Sequence, residues 1–109
     1  MNAPTATAKP SLTIGYVMHE VAKAYGLDIW AMKSPRRASA VARPRMVAMW
    51  MVARLLPAYS LPMIGREFGN RDHTTVMHAI KTIEVKMTEE PNFGPVVKTL
   101  EDRLLPSRA

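Results

Sequence analysis

Cysteine is absent from the chain. That excludes disulfides, thiol chemistry and cysteine-bearing zinc fingers, and it fits a reducing compartment. No apolar stretch reaches the ~18 residues that a membrane-spanning helix needs. The opening residues 1–10 lack the apolar centre of a secretory signal and read as a short flexible tail. Runs of β-branched residues in period-two alternation between turn residues are missing, so strands are not expected. Acidic residues are missing too, over a long interval: none lies between Asp28 and Glu67.

That interval holds Lys33, Arg36, Arg37, Arg43, Arg45, Arg54 and Arg66 instead. The net charge is +6, and Glu84, Glu89, Glu90, Glu101 and Asp102 gather the acids in the last quarter of the chain. A field this lopsided presents one face to a polyanion and leaves the other neutral or acidic. The plain alternative is a solvated basic loop with no partner. The 109 residues, 48% hydrophobic and 22% charged, suffice for one domain with one modest core.

Helical periodicity recurs along the chain. Ile14, Val17, Met18, Val21, Ala22 and Tyr25 mark a first helix over 12–25, stopped by Gly26. Asp28 caps a short piece over 29–32 that ends at Ser34-Pro35. Residues 33–43 read as a basic connection, and Pro44 is placed in the first turn of a third helix, where its missing N–H costs nothing. That helix runs to about Leu56, with Val47, Met51 and Leu55 inward and Trp50 beside them; Pro57 ends it. Ser60 is the expected N-cap of a fourth helix, with Pro62 in its first turn and Leu61, Ile64 and Phe68 inward. Gly65 lets a neighbouring helix approach, and Gly69 is the expected left-handed stop. Asp72 caps a fifth helix with Val76, Ile80, Ile83 and Met87 inward. A sixth runs from Phe93 to Leu105 on Val96, Val97, Leu100 and Leu104. The expected fold is all-α, a compact bundle of about six helices over 11–105, with 106–109 as a second tail.

Residues 64–76, Ile-Gly-Arg-Glu-Phe-Gly-Asn-Arg-Asp-His-Thr-Thr-Val, therefore join two helices through a tight turn. This is the plan of a helix-turn-helix, whose second helix enters the DNA major groove by its leading end. With Val76 at the centre of the buried side and about 100° per residue, Thr74, His78 and Lys81 lie opposite, with Thr75 and Thr82 at the flank. Threonine offers a hydroxyl to base edges and a methyl to thymine; histidine bonds bases or phosphates; lysine reaches phosphates. Asp72 is first a cap, and a cytosine amino group is a second partner for it. His73 lies closer to the core side, so packing competes with DNA contact. Leu61 and Pro62, at the leading end of the fourth helix, combine core and cap with reach to thymine methyls.

The order Gly-x-x-Phe-Gly-x-Arg-Asp-His-Thr-Thr-Val resembles the signature of the DNA-binding domain of the bacterial replication initiator DnaA. The resemblance extends to Ser34-Pro35-Arg36-Arg37, to Val41-Ala42-Arg43-Pro44-Arg45 and to Ser60-Leu61-Pro62, and covers about 12–105. It implies an all-helical, Trp-repressor-like domain that binds the DnaA box in double-stranded DNA as a monomer. It implies base contacts from Asp72, His73, Thr74 and Thr75, assisted by Leu61 and Pro62. Arg37, beside Arg36 in the basic loop, would enter the adjacent minor groove, and Arg45, His78 and Lys81 would meet phosphates. A narrow A·T-rich groove concentrates negative potential and so suits an arginine.

No Gly-x-x-x-x-Gly-Lys-[Ser/Thr] loop is present, and there is no room for an ATPase domain. The Ala/Thr/Pro-rich start after Met1 favours a small stand-alone relative of the initiator. Its expected setting is the cytoplasm, on the nucleoid, with a role in regulating replication or transcription. A second function class is a protein-interaction module that keeps the fold and binds a replication or regulatory protein. Its nine methionines and the expected exposure of Trp30 and Trp50 permit a sticky surface. An enzyme is not expected. His19, His73 and His78 lack a zinc spacing, no catalytic constellation is present, and no metal or cofactor is assigned.

Overall fold

The computed structural model describes residues 12–105, so both expected tails lie outside the described residues. Six helices follow one another: α1 (Ile14–Ala24), α2 (Trp30–Lys33), α3 (Ser39–Leu55), α4 (Leu61–Glu67), α5 (His73–Glu89) and α6 (Phe93–Leu104). No strand occurs among the described residues. The fold is all-α.

α3 is the central rod, lying against α1, α2, α4 and α5; α6 closes the bundle over α1 and α5. Val47, Ala48, Met49, Met51 and Val52 are all essentially inaccessible to solvent. A helix apolar on every side has to be wrapped by others, and that sets its place. Val17, Met18 and Val21 of α1, Met32 of α2, Ile64 of α4 with Phe68 just beyond it, and Val76, Ala79 and Ile83 of α5 complete the core. Four methionines, Met18, Met32, Met49 and Met51, are fully buried. Unbranched and polarizable, they fill the irregular gaps between the helices.

Local signals place most of the boundaries. Thr13 caps α1 by accepting from the Tyr16 N–H, and Gly26 follows its end at φ +72°. The Asp28 carboxylate accepts from the Ala31 N–H at the start of α2. Ser60 caps α4 through the Met63 N–H, with Pro62 in the first turn.

Three expectations are corrected. α3 begins at Ser39, so the connection is shorter than 33–43 and Pro44 lies in the second turn, inside the helix. The Ala38 carbonyl accepts from both Val41 and Ala42, closing a turn ahead of the proline, and buried Val41 anchors it. Trp50 is 6% exposed and belongs to the core, whereas Trp30 stands 71% exposed. Val96 is 54% exposed; buried Phe93 takes its place in the α6 stripe with Val97, Leu100 and Leu104. Val96 falls about 60° off that stripe, at its rim.

Candidate nucleic-acid interface

α4, a turn and α5 form the helix-turn-helix, and two glycines set its shape. A β-carbon on Gly65 would stand 2.1 Å from the Arg71 carbonyl oxygen. The close neighbour is thus the turn itself and not another helix, and the Arg71 N–H donates back to the Gly65 carbonyl at 2.8 Å. Gly69 adopts φ +82°, as expected, and Asn70 follows at φ +62°. Asparagine tolerates this left-handed region better than most side chains. A β-carbon on Gly69 would also stand 2.3 Å from the Lys33 carbonyl, so the turn touches the start of the basic arm, residues 34–38.

Asp72 caps α5. Its carboxylate accepts from the Thr74 N–H at 2.9 Å and from the Thr74 hydroxyl. The hydroxyl and then the N–H hold the Asp72 carboxyl below the usual carboxylate range, with His73 Nδ1 3.7 Å away adding a smaller pull. His73, Thr74, Thr75, His78 and Lys81 are all exposed. His73 is therefore not packed into the core. Thr82 is half-buried, with its hydroxyl 3.4 Å from His78 Nε2. Leu61 packs partly against the core while Pro62 is exposed at the leading end of α4.

Between the arm and the leading end of α5 lies a hollow of about 620 Å³, lined by Lys33, Pro35, Arg37, Arg45, Gly69, Arg71 and Thr75. It brings Arg37, Arg45 and Thr75 together. Arg36 is not among them: it lines a separate groove with Trp30 and Val41. Arg45 is only 6% exposed, and its Nη2 donates to the Arg36 carbonyl at 2.7 Å. Burial, and then the neighbouring charge of Arg71, pulls the Arg45 guanidinium below its ordinary pKa. The residue expected to reach a phosphate thus also holds the arm from within.

Residues 14–83 match the family model described as the bacterial dnaA protein helix-turn-helix. The chain belongs to that family. Chromosomal replication initiator proteins DnaA are its relatives. That of Methylacidiphilum infernorum (isolate V4) is 43% identical over 98 residues, covering 90% of this chain and 21% of the relative. That of Gluconobacter oxydans (strain 621H) is 45% identical over 93 residues, covering 85% and 19%. The chain spans about a fifth of the length of these curated relatives. A crystal structure of a DNA replication initiation factor superposes with a TM-score of 0.72 at 30% identity, over 84% of this chain and 27% of the other.

Within this DnaA-family fold, Arg71 is the residue at the candidate site that reading the sequence misses. Its Nη2 donates to the Ser34 carbonyl at 2.6 Å and its Nη1 to the Phe68 carbonyl. One guanidinium thereby fastens the arm to the helix-turn-helix. The sequence marks it only as the arginine of the Gly-x-x-Phe-Gly-x-Arg-Asp signature, with no role attached. Lys33, at the end of α2, joins the same hollow without any motif to mark it.

Proposed function

We propose that this chain binds duplex DNA sequence-specifically at sites resembling the DnaA box. In this reading α5 enters the major groove by its leading end, with Asp72, His73, Thr74 and Thr75 toward base edges and Leu61 and Pro62 assisting. Arg37, on the arm with Arg36, enters the adjacent minor groove, and Arg45, His78 and Lys81 neutralise phosphates. The chain acts by occupying sites, as a monomer, in the control of replication initiation or transcription, and takes no part in ATP hydrolysis. The observation that carries the reading is the shared hollow. Arg37 of the arm and Thr75 of α5 line one space, with further cations and no acid. A polyanion spanning two neighbouring grooves fits that layout.

Fluorescence anisotropy with DnaA-box and scrambled duplexes, at about 50 and 200 mM salt, tests it. The expected result is nanomolar-range affinity for the box, a clear preference over the scrambled duplex, and a steep loss with salt. Equal affinity for both duplexes would remove sequence-specific reading. No binding to either would return the chain to the protein-interaction class.

A further inference from the structure

We infer that Arg71 is a positioning residue: it sets the distance between the arm and the leading end of α5, and thereby governs minor-groove reading, without touching DNA. The inference rests on the duplex reading and adds the residue that couples its two halves. The Arg71 backbone is fixed first. Its N–H donates to the Gly65 carbonyl, and its own carbonyl fills the place where a β-carbon on Gly65 would stand. The next residue, Asp72, caps α5. From this anchored point the side chain runs to the arm, where Nη2 donates to the Ser34 carbonyl at 2.6 Å. Nη1 turns back to the Phe68 carbonyl, just beyond α4. Among the described residues, the bond to Ser34 is the hydrogen bond that joins the arm to the helix-turn-helix. Arg45 holds the arm at a second place, the Arg36 carbonyl, but from α3. Arg37 follows directly on the two held carbonyls.

A protein that reads two neighbouring grooves needs its two readers at a matching separation, and a loose arm would have to be ordered at the moment of binding. Arg71 is the short link between those readers: its main chain abuts the cap of α5 and its guanidinium grips the root of the arm. Both terminal nitrogens are spent on protein carbonyls, and burial pulls the guanidinium below its ordinary pKa. Lysine keeps the charge but puts a point charge on a flexible stem, without the planar fork that spans two carbonyls.

The test measures anisotropy with three versions of the DnaA-box duplex. One is unmodified. In the second, 2,6-diaminopurine replaces adenine, which adds an amino group in the minor groove; in the third, uracil replaces thymine, which removes methyls from the major groove alone. The parent is expected to lose about tenfold in affinity on diaminopurine and several-fold on uracil. Arg71→Lys is expected to cut the diaminopurine loss below about threefold and to keep the uracil loss. Arg37→Ala should do the same, and the double variant no more. A second measurement needs no variant: in the free parent, backbone order parameters of Arg36, Arg37 and Ala38 are expected near the rigid value of about 0.85. An arm below about 0.6 in the free parent overturns the inference. So does an Arg71→Lys protein that keeps the diaminopurine loss, or one that forfeits both losses alike, which would make Arg71 a support of the whole fold. A parent with no preference for the box over a scrambled duplex fails as a sequence reader, and the inference falls with it; a box-selective parent beside an unaltered Arg71→Lys sinks the inference alone.

Discussion

A threonine hydroxyl that already donates to a carboxylate meets a base edge differently from a free one. Thr74 gives its proton to Asp72, leaving its oxygen lone pairs and methyl to face outward. Thr75 has no such bond to its cap and lines the hollow beside Arg37. If the chain reads DNA as proposed, discrimination rests more on Thr75. Thr75→Ala is expected to narrow the gap between box and scrambled duplexes by about 1–3 kcal/mol. Lys81→Ala is expected to weaken both duplexes alike and flatten the salt slope by about one unit. Anisotropy titrations across salt separate the two; identical behaviour of the variants would undo this division of labour. The Asp72 cap and the exposure of Thr74, Thr75 and Lys81 were legible beforehand because capping and helical phase are local. The clamping by Arg45, expected only at a phosphate, and by Arg71 was not, since their acceptors are carbonyls nine and 37 residues away. Nothing in the spacing marks either as a clamp.

Among the elements, the turn between α4 and α5 has the least freedom. Gly65→Ala drives a methyl group into the Arg71 carbonyl, which itself belongs to the segment that fastens the arm. The expected cost is about 1–3 kcal/mol, read as a lower urea midpoint, accompanied by weaker duplex binding. A variant with unchanged midpoint would mean that the turn relaxes freely. The helices themselves were readable from apolar periodicity, and the caps Ser60 and Asp72 from residue type. The start of α3 was not. Pro44 looked like a first-turn proline, but burial of Val41 adds a turn before it. Across from that turn, Arg43 grips Glu90 with two hydrogen bonds of 3.0 and 3.1 Å and lies over the Phe93 ring. Those tertiary contacts outweigh the local proline rule.

Taken whole, the molecule spreads its charge unevenly, and acid exposes this first. Arg43 holds Glu90 below the usual carboxylate range, chiefly by hydrogen bonding, as Thr74 does Asp72. A carboxyl with a depressed folded-state pKa contributes stability that is complete above its unfolded value and disappears as pH falls through the folded one. Stability is therefore expected to hold from neutral pH to the ordinary carboxylate range and to decline below about pH 4. Asp72→Asn and Glu90→Gln should each flatten that decline in thermal melts across pH; an unchanged acid limb in both would contradict the assignment.

The two indoles sit in opposite surroundings, Trp50 sealed in the core with the Arg54 guanidinium over its ring, and Trp30 in open water beside the groove that Arg36 lines. Their fluorescence should separate without any label. An aqueous quencher such as iodide should extinguish the Trp30 emission and leave the bluer Trp50 emission intact until the protein melts. A single unmodified sample thus carries one optical reporter of its surface near the arm and another of its integrity.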